Sequence, residues 1–221
     1  TREILLRGAT EARRSVDLKV ETDGRIAEQL VPEGSEVTAG TPLVRLATED
    51  RAARVTEAEA LVAQRRIEQQ GAVKLAKNGY RSDMDVAAAE AALQAAEAAL
   101  EAARIELANT TLLAPFDGIV ERHLAEAGAF ADRGEAVLRL VELDPLVVVA
   151  HANEDEVLEL RQGDSGRARL NDGRELAGTI AFVARIGESA TRSFRVELHL
   201  ANPDGLLPAG ITADLLVALP P

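Results

Sequence analysis

The residue types that carry out chemistry are present in this chain, but their spacing does not assemble them into a reacting site. The 37 carboxylates are spread over 221 residues, so a pair by itself singles out no acid–base couple. The Asp and Glu clusters fall in turns, at helix caps and on helix faces, where a solvated surface accounts for them. His123, His151 and His199 stand in different segments, with no spacing that would let them hold one metal. His123 and His199 are expected to be exposed strand residues. No G-x-S-x-G elbow, phosphate-binding loop or H-E-x-x-H occurs. There is no cysteine, which excludes disulfides and thiolate metal sites. A single methionine, Met84, is too few for a copper or silver relay built on thioethers. The net charge of −12 argues against a nucleic-acid partner. The expectation is a non-enzymatic protein without metal or cofactor.

What the chain does carry is an element suited to presenting residues at a distance. From Asp50 to Asn109 there is no proline, and the only glycines are Gly71 and Gly79. Val86, Leu93, Leu100 and Leu107 recur every seven residues, with Ala89, Ala96 and Ala103 three residues after the first three. This 3–4 spacing is a coiled-coil seam, and the surrounding alanines make a strong, slim helix. The first arm, about 51–77, has a looser seam: Val55, Ala58, Val62, Arg65 and Gln69. Between the arms, Gly79 suits a left-handed helix end. Ser82, with Asp85 three residues on, reads as an N-cap with a capping box. The prediction is an antiparallel helical hairpin over 50–109, each arm roughly 40 Å long at 1.5 Å per residue.

The segments flanking this hairpin repeat one another. Shifted by 94 positions, Thr22–Leu46 aligns on Phe116–Leu140 without a gap and with 7 identities, where about 2 are expected by chance. The shared frame is Asp23-Gly24, Leu30, Gly34, Gly40 and Arg45-Leu46 against Asp117-Gly118, Leu124, Gly128, Gly134 and Arg139-Leu140. Glycines at fixed offsets mark turns, and the apolar runs between them read as short strands. Two four-strand halves would face each other as a small β-sandwich with a pseudo-twofold axis, the hairpin inserted between them.

Gly24–Leu46, with Val31-Pro32-Glu33-Gly34 and Thr38-Ala39-Gly40, resembles the first half of a lipoyl-like domain (a barrel-sandwich hybrid). Leu113-Ala114-Pro115-Phe116-Asp117-Gly118-Ile119-Val120 resembles the start of its second half. A lipoyl-like domain split by a helical hairpin is similar to the periplasmic adaptor, or membrane fusion protein, family (HlyD/RND-type) of bacterial efflux pumps. Swinging-arm domains present a lysine on the turn between their halves. Here the corresponding turns, Ala47-Thr48-Glu49-Asp50 and Asn109-Thr110-Thr111, contain none. That sets aside the biotin or lipoyl carrier of a carboxylase or dehydrogenase, and no cofactor is expected.

The rest of the chain reads as strands at Glu3–Ala9, Val16–Val20, Leu146–Ala150, Gly166–Leu170, Glu175–Ile186, Ser193–Leu200 and Ile211–Leu219. A short helix runs from the Asn153 cap to Leu160. Five or six short strands with one small helix suggest a closed β-barrel. The stretch Asn202-Pro203-Asp204-Gly205 through Pro208-Ala209-Gly210 resembles the end of the adaptor family's barrel. The expected fold class is mainly β with a long helical hairpin. The expected organisation is a β-barrel domain from 1–14 and 144–221, a lipoyl-like domain from 15–49 and 110–143, and a coiled-coil hairpin over 50–109. Neither an 18-residue apolar run nor a signal peptide occurs. The chain is therefore expected to be a processed fragment without its export signal or membrane anchor, and without the further membrane-proximal β-domain that the family often adds.

The resemblance implies an adaptor in the periplasm, attached to the inner membrane, linking an inner-membrane RND transporter to a TolC-type outer-membrane channel. It implies self-association as a hexamer or trimer of dimers. The same fold serves ABC exporters and type I secretion systems, whose hairpins are usually longer. In RND adaptors an Arg-x3-Leu-x6-Ser pattern at the hairpin tip is tied to docking on the channel. Leu75 and Ser82 stand at the last two positions, but Gly71 replaces the arginine. Lys74 or Lys77 would then supply the charge, and Tyr80 completes the candidate tip. A local reading explains the same residues: Leu75 closes the coil and Ser82 caps a helix.

Overall fold

The computed structural model describes residues 3–48, 50–189 and 191–218. Glu49 of the predicted 47–50 turn, Leu219 at the predicted end of the last strand, and the outermost residues of the 1–14 and 144–221 segments lie outside the described residues. In chain order the elements are β1 (Glu3–Glu11), β2 (Arg14–Lys19), β3 (Gly24–Gln29), β4 (Glu36–Val37), β5 (Pro42–Leu46), α1 (Arg51–Lys77), α2 (Asp83–Ala108), β6 (Thr111–Leu113), β7 (Gly118–His123), β8 (Phe130–Ala131) and β9 (Ala136–Glu142). They continue with β10 (Leu146–Ala152), α3 (Glu154–Glu159), β11 (Ser165–Leu170), β12 (Glu175–Val183), β13 (Phe194–Leu200) and β14 (Thr212–Ala218).

The sequence repeat has an exact counterpart in the strand pairing. Two four-stranded sheets, β2-β9-β7-β4 and β6-β5-β3-β8, enclose one core. Gly24 pairs with Ala131 and Gly118 with Val37, and these two pairings interchange under the 94-residue shift. The bulge after Ile26 in the β3–β5 ladder recurs after Val120 in the β7–β9 ladder. Even β2 and β6, outside the aligned segment, obey the shift: Leu18 pairs with Leu138 as Leu112 pairs with Val44. The core is built from twins, Ile26 with Val120, Leu43 with Val137, Val44 with Leu138 and Leu46 with Leu140. Alternation along short strands sends these side chains inward while their neighbours face water. The frame glycines Gly34, Gly40, Gly128 and Gly134 all have φ between +81° and +91°, a region that L side chains seldom enter.

The second β body is a closed six-stranded barrel in the order β1-β10-β13-β12-β11-β14. β1, from the other end of the sequence, closes it by pairing with both β10 and β14. Ile4 and Leu6 point into its core while Leu5, between them, is 45% exposed. β12 is shorter than predicted. Its ladder ends at Val183, opposite Val196, and is followed by a bond from Ala184 N–H to Arg195 O and an isolated bridge between Glu188 and Ser193. Ile186 is left 87% exposed in the loop.

Helices α1 and α2 leave the sandwich between β5 and β6 and run side by side. Bonds from Arg66 to Glu97 at 2.9 Å and from Arg104 to Glu59 at 2.8 Å set them antiparallel. The positions at 3–4 spacing face each other. Val62, Ala72 and Ala96 are buried, while Val55, Arg65, Gln69, Val86, Leu93 and Leu107 are half-buried. A pair this thin buries few side chains, and each arm keeps most of its surface in water.

Candidate functional site

The far end of the helix pair is shaped by its backbone caps. Gly79, at φ +77°, takes the left-handed position after α1. Its N–H donates to Ala76 O and the Tyr80 N–H donates to Leu75 O, each at 2.9 Å. These two bonds satisfy carbonyls that the helix end would otherwise leave open. Three residues after Gly79, Ser82 caps α2. Its hydroxyl oxygen accepts the Asp85 N–H at 3.2 Å, while Asp85 Oδ2 accepts the Ser82 N–H at 3.1 Å and its hydroxyl at 2.9 Å. The Ser82 N–H, then its hydroxyl, hold the Asp85 carboxyl below its ordinary range. Lys74 and Lys77 occupy the last turn of α1, where the helix dipole favours cations.

Leu75 lies off the seam and is 42% exposed; Tyr80 is 79% exposed. The tip thus brings Leu75 and Tyr80 together through the cap and leaves both accessible, with Lys74, Lys77 and Ser82 around them. The Gly71 position is open: a Cβ built there meets nothing within 4 Å. Two exposed apolar residues escaped the sequence reading, Met84 at 83% and Ile67 at 72% exposure. Ile67, Gly71 and Leu75 follow one another at four-residue steps and share a helix face away from the seam. The signal was there, since Ile67 and Met84 fall off the heptad positions.

The base of the pair is held by contacts that no local pattern announces. Arg51, the first residue of α1, donates from Nη2 to Thr22 Oγ1 at 3.0 Å and to Asp23 O at 2.7 Å. The Thr22 hydroxyl donates to Glu106 Oε2 at 2.9 Å, and Arg133 Nη2 donates to Glu106 Oε1 at 2.8 Å. Thr22 is fully buried. This network seats both helices on the sandwich.

The histidines correct the sequence reading. The His123 side chain is 9% exposed rather than solvated, and Glu33 accepts its backbone N–H at 2.7 Å. His199 is half-buried in the barrel ladder, opposite Val147 and Thr179, and His151 is exposed. Among the described residues no group of three or more His, Cys, Asp or Glu could hold a metal ion. No helix among them is long and apolar enough to cross a membrane.

Comparison with known proteins agrees with this architecture. The family described as "CusB-like, beta-barrel domain" matches residues 146–220. The chain is 28% identical over 223 residues to the multidrug resistance protein MexA of Pseudomonas aeruginosa, covering 93% of this chain and 58% of MexA. It is 28% identical over 240 residues to the antibiotic efflux pump periplasmic linker protein ArpA of Pseudomonas putida, covering 96% of this chain and 65% of ArpA. The chain therefore spans only about three-fifths of the length of these relatives. A crystal structure of a MacA–MexA chimera containing the P. aeruginosa MexA alpha-hairpin domain superposes with a TM-score of 0.88 at 20% identity, over 99% of this chain and 81% of that one. With its barrel, twinned sandwich and helix pair, the chain is similar to periplasmic linker proteins of efflux pumps, and its residues 146–220 match the CusB-like β-barrel domain.

Proposed function

We propose that this chain is the adaptor body of an RND efflux pump, joining an inner-membrane transporter to a TolC-type outer-membrane channel across the periplasm. Its domains are then a β-barrel domain of 1–14 and 144–221, a lipoyl-like domain of 15–49 and 110–143, and a coiled-coil hairpin of 50–109. Its work is structural, without catalysis: it seals a conduit and relays movement. It acts as a ring, a hexamer or trimer of dimers, held near the inner membrane by an attachment belonging to the whole protein. The relatives named as multidrug and antibiotic efflux proteins support this reading.

The observation that carries the docking assignment is the capped tip with its accessible Leu75 and Tyr80. Leu75 and Ser82 keep their family spacing, and Lys74 and Lys77 supply positive charge where Gly71 lacks it. Burying the exposed part of Leu75 against a channel contributes up to about 2 kcal/mol per contact, and repetition around a ring multiplies the effect.

The test uses the full-length protein in a strain deleted for its own copy. Leu75→Asp should leave the helical circular dichroism of the purified chain unchanged, since Leu75 is off the seam, and should abolish drug resistance. Gly71→Arg, for which the structure has room, should preserve or strengthen channel binding and raise helix stability by up to about 1 kcal/mol. Normal resistance with Leu75→Asp would rule out the tip as the docking surface.

A further inference from the structure

The barrel and the sandwich are joined by two short connectors, Ala12-Arg13 between β1 and β2 and Leu143-Asp144-Pro145 between β9 and β10. Each connector is pinned to a different body. Arg13 is tied to the sandwich: its N–H donates to Glu142 O at 2.9 Å, and its Nη1 donates to Glu142 Oε1 at 2.9 Å. The Glu142 side chain is only 11% exposed and also receives Arg14 Nε, whose guanidinium carbon lies 4.1 Å from the centre of the Phe116 ring. A nearly buried carboxylate is thus matched by two guanidinium groups, which hold it in place.

The second connector is tied to the barrel. Asn202, 4% exposed, donates its backbone N–H to Asp144 Oδ1 at 2.9 Å and its Nδ2 to Leu143 O at 3.1 Å. The remaining capacity of its amide closes the barrel's own loop, with Nδ2 to Leu207 O at 3.0 Å and Oδ1 accepting the Leu207 N–H at 3.0 Å. With Arg13 held on one side and Leu143-Asp144 on the other, the backbone free to turn reduces to Ala12 and the junction between Glu142 and Leu143.

Beside this joint lies a groove of about 580 Å3, walled by Glu36, Asp117 and Ile119 of the sandwich and Asn202, Pro203 and Gly205 of the barrel. At Gly205 the two bodies approach closely: a Cβ there would lie 3.2 Å from Ile119 Cδ1 and 3.4 Å from Glu36 Oε1, so the glycine leaves the space that a side chain would fill.

We propose that this joint is a locked hinge. Its axis passes through Ala12 and the Glu142–Leu143 junction, and the Arg13–Glu142 pair is its lock. Release of Arg13 lets the barrel swing away from the sandwich while both β bodies stay intact. The device depends on the connectors alone, whatever the helix tip docks on.

The native chain has no cysteine, so pairs of spin labels can be placed at will. One pair spans the joint, at the exposed Ala127 of the sandwich and the exposed Gln162 of the barrel. A control pair lies within the barrel, at Gln162 and the exposed Ser189. Double electron–electron resonance on the parent chain should give a narrow distance distribution for both. Arg13→Gln, which leaves Glu142 paired with Arg14, should at least double the width across the joint and leave the control pair unchanged. Arg13→Lys should return most of the narrow distribution. An unchanged width across the joint in Arg13→Gln overturns the lock, and equal broadening of both pairs overturns the hinge. Arg13 is half-exposed, so its loss does not threaten the fold; Glu142→Gln is a second variant judged by the same two outcomes.

Discussion

Ser82 and Asp85 show how far a single cap reaches. The reciprocal bonds hold the Asp85 carboxyl below its ordinary range in the folded state, so the unfolded chain takes up this proton more readily than the folded one. The stability the box contributes is complete above the ordinary aspartate pKa near ~3.9 and is lost as pH falls through the depressed folded value. The expected result is a helix pair whose helical circular dichroism melts at progressively lower temperature as pH drops below about 4. In Asp85→Asn this acid sensitivity should diminish, and Ser82→Ala should cost about 1 kcal/mol at neutral pH. An unaltered acid profile in Asp85→Asn would show that other carboxylates govern it.

At the scale of the element, the helix pair is stiff at its tip, thin along its length and dependent on its seat. Arg65 and Gln69 sit half-buried in the seam, so the pair draws less from apolar burial than an all-aliphatic coiled coil would. Arg51 compensates at the base. Its side chain is 11% exposed, and its bonds to Thr22 and Asp23 fasten α1 to the sandwich beside Glu106 of α2. Arg51→Met keeps the aliphatic length but removes the guanidinium, leaving the buried Thr22 with one partner fewer. Denaturant unfolding should register a loss of roughly 1.5–3 kcal/mol, the range for hydrogen bonds to a charged group. A loss below about 0.5 kcal/mol, as for an ordinary surface substitution, would mean that the strands and not this network carry the seat.

For the whole molecule, the insertion point of the helices decides how separable they are. Leu46 N–H donates to Thr110 O at 2.7 Å, and Arg45 pairs with Thr111 in the β5–β6 ladder. The chain thus leaves and re-enters the sandwich at neighbouring points, and the sandwich core contains no helix residue. Replacing Arg51–Leu107 with a short Gly/Ser linker should leave a folded β protein, since closing so short a gap costs little entropy. Retained β-type circular dichroism with a cooperative thermal transition is the expected result. A non-cooperative melt would show that the helices are part of the folding unit.

The sequence by itself determined what is local or periodic. The 94-residue repeat, the seam from Val86 to Leu107, the Gly79 helix end and the Ser82 box could all be read, because backbone sterics and side-chain period act within a few residues. The twinned halves were legible for the same reason, the same turn glycines recurring at the same offsets. Only the tertiary structure decided the contacts between distant positions. It set the register of β1 against β10 and β14, ended β12 at Val183, and withdrew the His123 side chain from solvent. It also chose Glu142 as the partner of Arg13, 129 residues away, and Glu106 as the partner of Thr22, 84 residues away. Any of the 37 carboxylates had the chemistry for those roles. Which of them meets which arginine is set by strand register and chain closure, and neither leaves a period in the sequence.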